Sequence, residues 1–329
     1  MTLGRVSRRL FIAAPLLAVT LETMAPAEAA AESFYAFLDA VRREAAARGI
    51  RRSTVDIALR GAEYLPHVIE LDQHQPERVL TFAEYLAKTV SPQRQENARR
   101  QLLDNRALLD AIARRWNVDP RIIVALWGLE SDFGAVTGNY MVVSSLATLG
   151  YEGRRGPYFR GELISALRII DQGNVQATAM TGSWAGAMGQ CQFMPSTYLG
   201  YAVDYNGDGR RDIWHDRADV LASIANFISR LGWRGGESWG RKVVLPQGFD
   251  ARFTGLEVRR AAWEWGRMGV RGLDAGPLAG REEASLVLPG GESGPALLVF
   301  NNFRTIMRWN KSTYFAAAVG YLADSMARG

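Results

Sequence analysis

The sequence is poor in the residue types that build covalent frameworks and thiolate clusters. Its 329 residues include one cysteine, Cys191, and three histidines, which excludes an internal disulfide framework and a zinc site made of several thiolates. Lysine is also scarce, with only three residues, so arginine carries most of the positive charge. The net charge of +5 is scattered along the chain rather than gathered into a basic run. This pattern argues against a nucleic-acid partner.

Long apolar runs are missing after the first thirty residues. No segment there approaches the roughly 18 apolar residues of a membrane-spanning helix, and no Walker or Rossmann glycine pattern occurs. Residues 1–29 differ, because basic residues precede an apolar stretch and Ala27–Ala29 has the small residues of a cleavage site. Ser7–Ile12 resembles a twin-arginine export signal, with a general secretory signal as the alternative. We therefore expect an exported, periplasmic protein without a membrane span or lipid anchor.

The remaining pattern predicts a mainly α (α+β) protein. Ser91-Pro92 and Asp119-Pro120 each place a capping residue before a proline, the usual start of a helix. The helix that opens at Pro120 is apolar on nearly every side, which predicts burial, and Gly134 is the expected left-handed terminator. We expect a helical domain over residues 30–232, a small β-containing subdomain over 233–300 and a returning C-terminal helix over 301–329.

Glu130 stands at the end of this buried helix. Burial raises the pKa of a carboxyl group, and the negative end of the helix dipole acts in the same direction. Both effects favour a protonated group near neutral pH, as a general acid requires. The alternative is an ordinary surface glutamate at a helix end. Asp132, two residues on, is either a second carboxylate or a capping residue.

Two further segments carry neutral hydrogen-bonding groups. Small residues surround Ser183, Gln190 and Gln192, whose side chains suit the binding of sugar hydroxyl and acetamide groups. A tight loop with a packing role is the alternative. Before the last helix, Trp309 and Asn310 could face a cleft; the alternative is that Asn310 or Ser312 caps that helix.

Residues 204–215 match most of a calcium-binding loop. Asp204, Asn206, Asp208 and Asp212 stand at alternate ligand positions, and the carbonyl of Arg210 lies at the position that supplies a backbone ligand. The closing position holds His215 instead of a bidentate glutamate. A metal-free turn rich in Asp and Asn is the alternative, and one isolated loop argues against a calcium sensor.

Taken together and in this order, these segments resemble the membrane-bound lytic murein transglycosylase B family. The resemblance runs over roughly residues 33–329, and it is most specific where Gly-Ala-Met-Gly and Gln-Phe-Met-Pro-Ser precede the acidic loop. It implies a lysozyme-like helical catalytic core with a small inserted β subdomain. It also implies cleavage of the MurNAc–GlcNAc β-1,4 bond of peptidoglycan without water, which leaves a 1,6-anhydromuramic end.

The resemblance assigns roles to individual positions. It places the catalytic glutamate at Glu130 and implies a structural calcium in the loop. It implies no cofactor for catalysis, peptidoglycan glycan strands as the partner, and a monomer. It implies that the glycan contacts are made by Ser183, Gln190, Gln192, Tyr158, Trp309 and Asn310. Phe159 is the alternative to Tyr158 as the aromatic residue of the cleft. The family has tyrosine where this chain has Trp309.

Glu130 is the one convincing catalytic carboxyl group in the sequence, and this number fits cleavage without water. A glycosidase that uses two carboxylates would need a second one nearby. The alternatives are a hydrolytic muramidase on the same core, with Asp132 as the second carboxylate, and a peptidoglycan-binding protein without catalysis.

Overall fold

The computed structural model describes residues 27–73, 80–274, 276, 278–292 and 294–327. Fourteen α-helices and seven short strands occur in these residues, so the mainly α class that the sequence predicts is confirmed. The export signal expected in residues 1–29 falls outside the described part, apart from the first residues of the first helix. None of the described helices is long and apolar enough to cross a membrane.

Thirteen of the helices in the described part form the main body. In chain order they are α1 (Ala27–Ala47), α2 (Arg52–Arg60), α3 (Pro66–Gln73), α4 (Phe82–Thr89), α5 (Pro92–Asp104), α6 (Arg106–Trp116), α7 (Pro120–Ser131), α8 (Val142–Glu152), α9 (Gly156–Asp171), α10 (Pro195–Tyr201), α11 (Arg217–Arg230), α13 (Asn301–Trp309) and α14 (Thr313–Ser325).

Local capping chemistry explains where two of these helices begin. The side chain of Ser91 accepts a hydrogen bond from the backbone N–H of Arg94 and is followed by Pro92. The side chain of Asp119 accepts from the backbone N–H of Arg121 in the same way, before Pro120. A side-chain oxygen thus satisfies a free helix N–H group, and proline fits the first turn because it lacks one. Both predicted helix starts are confirmed.

The strands form two sheets. β1 (Tyr140–Met141) pairs antiparallel with β2 (Thr181–Gly182) in the helical body. The other sheet has the order β4-β6-β7-β3-β5 and lies with α12 (Ala262–Arg267) between residues 240 and 299. Its strands are β3 (Gly240–Val244), β4 (Arg260–Ala261), β5 (Arg271–Gly272), β6 (Glu283–Val287) and β7 (Ala296–Val299).

The central strand β7 joins the sheet to the helical body. Ala296 and Leu298 pack into a small core with Trp265 of α12. The alternating residues Leu297 and Val299 belong to the large core of the helical body. Successive side chains of a strand point to opposite faces, so this strand is buried on both sides, and the returning helix α13 begins almost directly after it.

The helix α7 lies in the large core, as its sequence predicts. It packs against α5, α11 and α14, and the ring of Trp127 is almost fully buried. The left-handed conformation expected of Gly134 is present, but it does not begin there: α7 ends at Ser131, and its C-cap is Asp132, whose φ of 50° is already left-handed. Phe133 and Gly134 continue the left-handed stretch, with φ values of 60° and 89°. The abrupt turn leaves Glu130 at the end of a rigid, buried helix.

Candidate active site

Glu130 lies in the last turn of α7 and is partly exposed. Burial of its carboxyl group raises the pKa of Glu130 to about 7, and a hydrogen bond from Trp309 opposes that rise. The direction is the one that the sequence predicts, and desolvation is its main cause. A large fraction of this residue is therefore protonated at neutral pH, yet its conjugate base is also accessible. One group can thus act first as an acid and then as a base.

The indole of Trp309 holds the carboxyl group of Glu130. Trp309 is the last residue of α13, and its Nε1–H donates a hydrogen bond of 2.7 Å to Glu130 Oε1. An indole N–H can only donate, so it bonds to a carboxylate oxygen or to the carbonyl oxygen of a protonated carboxyl group. In both states, Oε2 is the oxygen that can carry the acid proton.

An aromatic cluster fixes the position of this indole. The ring centroids of Trp309 and Phe227 are 4.7 Å apart, and those of Trp309 and Phe193 are 5.6 Å apart. Tilted aromatic pairs of this kind contribute about 0.5–1.5 kcal/mol beyond the area that they bury. Phe193 directly follows Gln192, so the cluster connects the glutamine-bearing loop to Trp309 and, through it, to Glu130.

Asp132 has a structural partner. Arg94 Nε donates to Asp132 Oδ1 at 3.0 Å, and both side chains are at least partly buried from solvent. Residues in the left-handed region are uncommon unless they are glycine, although aspartate tolerates it better than most. Asp132 thus ends α7 and anchors it to α5, which is the capping alternative raised from the sequence.

Gln190 connects the loop to α7 through both ends of its amide group. Its Oε1 accepts a hydrogen bond of 2.9 Å from Trp127 Nε1, and its Nε2 donates one of 2.8 Å to the carbonyl of Trp214. Its own carbonyl accepts from Ser131 Oγ at 2.8 Å. A Cβ atom on Gly134 would lie 2.4 Å from Gln190 Oε1, so the close approach requires glycine there. Both ends of the Gln190 amide group therefore bond to the protein itself, whereas the sequence predicts that they bond to the glycan.

Ser183 and Gln192 lie on the same loop. The backbone N–H of Ala187 donates to Ser183 Oγ at 3.0 Å, which closes a tight turn. Gln192 has a left-handed φ of 49°, and its Nε2 donates to the carbonyls of Thr137 and Gly189. Within the described part of the chain, Gln192 Oε1 accepts no hydrogen bond. Strained backbone at such a residue is typical of functional sites.

Tyr85 of α4 is a neighbour of Glu130 that the sequence did not single out. Burial raises the pKa of Tyr85, and the charge of Glu130 adds to the rise. Its ring packs against Tyr314 at the start of α14, with a centroid distance of 5.6 Å. Tyr85 lies between the apolar positions Phe82 and Leu86, off the helix face that they define. In the sequence, the only indication of a role for Tyr85 is that a polar aromatic residue stands next to the buried face of this helix.

Tyr158 and Asn310 each interact with residues other than Glu130. Tyr158, on α9, is half-exposed, and its hydroxyl interacts with the buried Glu162, which also accepts hydrogen bonds from Ser196 at the start of α10. Asn310 is exposed and accepts a hydrogen bond from the backbone N–H of Ser312, which itself caps α14. Among the described residues, no hydrogen bond joins Tyr158 or Asn310 to Glu130.

The acidic loop precedes α11 and is largely self-bonded. Asp204 accepts hydrogen bonds from the backbone N–H groups of Gly207, Asp208 and Gly209. Asp208 accepts from the N–H of Arg210, and Asp212 accepts from the N–H groups of Trp214 and His215. The side chain of His215 is exposed and lies 3.2 Å from Asp212 Oδ2.

The donor chemistry of this loop suits a hard cation. Asn206 Nδ2 donates to Asp216 Oδ2 at 2.9 Å, so Asp216 reaches the loop from the start of α11 and can replace the missing closing glutamate. Carboxylate, amide and carbonyl oxygens are the ligands that calcium prefers. In the described residues, however, no three His, Cys, Asp or Glu side chains converge as a preformed metal cage. Binding would therefore require these side chains to rotate inward.

Comparison with known proteins supports a family assignment. A family model described as the transglycosylase SLT domain matches residues 33–324. Membrane-bound lytic murein transglycosylase B of Escherichia coli K12 is 36% identical over 228 residues, which cover 66% of this chain. The match spans 60% of the length of that relative.

Solved structures share the fold across most of the chain. SltB3 of Pseudomonas aeruginosa, in complex with NAG-NAM-pentapeptide, matches with a TM-score of 0.88 and 45% identity, covering 90% of this chain and 80% of that one. SLT35 of E. coli, in complex with calcium, matches with a TM-score of 0.76 and 30% identity, covering 90% and 92%. The chain therefore belongs to the SLT-domain lytic transglycosylase family, as its motifs predict, and has the lysozyme-like helical fold of that family.

Proposed function

We propose that this protein is a lytic transglycosylase that cleaves the MurNAc–GlcNAc bond of peptidoglycan without water and leaves 1,6-anhydromuramic ends. The observation that carries the proposal is the single carboxyl group of Glu130, with a pKa of about 7, fixed by Trp309 at the end of a buried helix. The nearest carboxylate in sequence, Asp132, forms an ion pair with Arg94.

In the first step, Glu130 is the general acid. Its Oε2 proton moves to the glycosidic oxygen while the bond between that oxygen and C1 of muramic acid breaks, and the bonding electron pair leaves with the GlcNAc oxygen. The positive charge that develops at C1 is stabilised by the 2-acetamido group of the same sugar. Trp309 stabilises the carboxylate that remains, because hydrogen bonds to charged groups are stronger than neutral ones.

In the second step, the same residue is the general base. The Glu130 carboxylate accepts the proton of the muramic C6 hydroxyl group, and O6 forms the new bond to C1. The anhydro ring closes and Glu130 is protonated again. The substrate supplies its own nucleophile, so the reaction needs neither a second carboxylate nor an activated water molecule.

The loop residues supply glycan contacts in this proposal. Ser183 and Gln192 lie on the loop that packs through Phe193 against Trp309, and Gln192 Oε1 can accept a hydrogen bond from a sugar hydroxyl or amide. Tyr158 and Asn310 remain proposed contacts at the cleft edge. Gln190 acts by holding the loop against α7.

The test is digestion of purified peptidoglycan followed by mass spectrometry of the fragments. The wild type is expected to give muramic ends one water lighter than hydrated ends. Hydrated ends alone would support the muramidase alternative instead. The Glu130→Gln variant is expected to lose lysis and to keep binding to intact sacculi, since glutamine keeps the shape but has no acid proton. Lysis by this variant would contradict the assignment of Glu130, and an inactive wild type that only binds would favour a binding protein.

We also propose that the acidic loop binds a structural calcium ion. The side-chain oxygens of Asp204, Asn206, Asp208 and Asp212 and the carbonyl of Arg210 would hold it, with help from Asp216. The ion would neutralise neighbouring carboxylates and stiffen the link to α11, with no part in bond cleavage. Removal of calcium with EDTA should lower the melting temperature, calcium should restore it, and the product should not change. An unchanged melting temperature would contradict this assignment.

We propose that the protein acts in the periplasm as a monomer. The substrate lies outside the cytoplasmic membrane, and the N-terminal residues have the pattern of an export signal. Fractionation of cells and gel filtration of the mature protein test the two statements separately: a cytoplasmic location contradicts the first, and a dimer contradicts the second.

A further inference from the structure

Glu162 is a buried acidic residue that the proposed mechanism does not use. It lies on α9, and its exposed fraction is 4%. A carboxyl group placed in the interior has a free-energy cost unless hydrogen-bond donors satisfy it. The donors to Glu162 come from two places, Ser196 at the start of α10 and the hydroxyl group of Tyr158 one turn earlier on α9. The carboxyl group therefore joins two elements of the helical body.

Ser196 bonds to Glu162 through two groups. Its backbone N–H donates to Glu162 Oε2 at 2.8 Å, and its Oγ–H donates to Glu162 Oε1 at 2.7 Å. The N-cap residue of α10, Met194, makes no side-chain hydrogen bond to the helix. Glu162 thus supplies from α9 the acceptor that a helix otherwise takes from its own N-cap. The two bonds fix where α10 begins relative to α9.

The start of α10 is also the end of the glutamine-bearing loop, residues 183–194. In this loop Met188 and Phe193 pair as a bridge, with N···O distances of 2.8 and 3.2 Å between their backbones. Gln192 lies inside the bridge, at a left-handed φ of 49°. Only two residues, one of them a proline with a fixed φ, separate Phe193 from Ser196. A shift of Ser196 therefore moves the bridge and the glutamine inside it.

Two separate anchors hold this loop. Gln190 bonds to Trp127 of α7, the helix that carries the catalytic acid, whereas Glu162 holds the end of the loop to α9. Tyr158 belongs to the second anchor, because its half-exposed side chain has its hydroxyl group on Glu162. A proposed glycan contact and the glutamine-bearing loop thus share one buried carboxyl group.

The two helices do not need this carboxyl group to stay together. α10 packs against α9, and the rings of Tyr198 on α10 and Phe159 on α9 are almost fully buried. Replacing buried hydrogen-bonded groups by apolar groups of the same shape can be nearly neutral for stability. What the carboxyl group adds to the packing is direction, since it determines where the N–H and Oγ of Ser196 point.

We infer that Glu162 is a positioning residue for glycan binding. It holds the loop that carries Ser183 and Gln192, and it orients the side chain of Tyr158 beside that loop. Glu162 itself touches no sugar and moves no proton, because acid and base catalysis stay with Glu130. This inference rests on the proposed function, which takes the loop residues and Tyr158 to be glycan contacts.

The test measures kcat and KM on soluble glycan strands for two variants of Glu162. Methionine is similar in length but offers no strong acceptor, so Glu162→Met is expected to raise KM about five- to tenfold, the equivalent of about one hydrogen bond. The value of kcat should stay within a factor of about two, because α7 and Trp309 hold Glu130 independently. Glutamine keeps an acceptor for the Ser196 N–H and a donor for its Oγ. Glu162→Gln should therefore keep KM within about twofold of wild type.

Glu44→Met is the matched control for the loss of a carboxylate that binds α9. Glu44 Oε2 lies 2.7 Å from Arg160 Nε, so this pair ties α9 to α1 and leaves α10 untouched. Its KM should stay within about twofold of wild type. Ser196→Ala removes one of the two bonds from the other side and should raise KM about two- to threefold. Combined with Glu162→Met it should add nothing further, since the two variants break the same contact.

Binding measurements separate positioning from folding. In a Glu130→Gln background, which is expected to form no product, the affinity for the same glycan strands is measured well below the melting temperature of each variant. Weaker binding in Glu162→Met that is recovered in Glu162→Gln supports the inference. Wild-type affinity in Glu162→Met, an equal loss in Glu44→Met, or a fall in kcat alone overturns it.

Two further outcomes remain distinct. If Glu162→Met does not fold, Ser196→Ala decides, and an unchanged KM in that variant overturns the inference. A wild type that neither binds nor cuts the glycan strands contradicts the proposed function instead.

Discussion

Replacement of Trp309 by phenylalanine tests how the active site controls its acid. The variant keeps an aromatic ring against Phe227 but removes the N–H group that donates to Glu130 Oε1 at 2.7 Å. A hydrogen bond to a charged group contributes about 1.5–3 kcal/mol, and 1.36 kcal/mol corresponds to one pKa unit. Because Glu130 is partly exposed, solvent replaces part of the lost bond, and we expect its pKa to rise from about 7 by roughly one unit.

The assay is the pH dependence of kcat/KM on soluble glycan strands. A general acid works only while protonated, so the alkaline limb of the Trp309→Phe profile should move to higher pH by roughly one unit. The maximal rate should fall, because the carboxyl group loses its orientation. Trp233→Phe is the matched control, since the buried Nε1–H of Trp233 has no partner in the described residues, and its profile should not move. An unmoved alkaline limb in Trp309→Phe would refute the reasoning.

Three further predictions follow from the same contacts. Burial lifts the pKa of Glu130 from 4.5 to about 7, so its ionisation destabilises the fold as pH rises through that window. With allowance for solvent screening, Glu130→Gln should therefore be about 1–2 kcal/mol more stable than wild type at pH 8 and equal to it at pH 4. Urea unfolding measures this difference, and equal stability of the two proteins at both pH values would contradict the prediction. Asp132→Asn should keep the left-handed turn and most of the lytic rate, whereas a loss as complete as that of Glu130→Gln would identify Asp132 as a second catalytic carboxylate. Gln190→Leu should lower the free energy of unfolding by about 2–4 kcal/mol, because it leaves the buried indole N–H of Trp127 and a backbone carbonyl without partners; a loss below about 1 kcal/mol would show that the amide does not hold the loop.

The features that the sequence predicts well depend on neighbours in the chain. The helix starts at Pro92 and Pro120 follow from a capping side chain and a proline next to it. The position of Glu130 follows in the same way, because an apolar helix that ends in a glutamate is a one-dimensional pattern. The terminator is the exception: Asp132 ends α7 before Gly134, since its ion pair with Arg94 of α5 stabilises the less favourable residue in the left-handed conformation.

The features that the sequence does not reveal depend on residues distant in the chain. Trp309 lies 179 residues from Glu130, and only the fold brings its indole to the carboxyl group. The sequence offers it as a glycan contact, because an aromatic residue beside an amide is typical of sugar sites. Gln190 is similar, since its amide suits a sugar but is satisfied by Trp127 and by the carbonyl of Trp214. Residue type indicates the kind of bond a side chain makes, and packing selects its partner.

The central claim is that Glu130 takes its second proton from the substrate rather than from water. Digestion of peptidoglycan in water enriched in heavy oxygen tests this directly, with the fragments analysed by mass spectrometry. The account predicts anhydro ends without any heavy oxygen, formed by the wild type and lost in Glu130→Gln. One heavy oxygen at each newly formed muramic end would show that water attacks C1, and would contradict it.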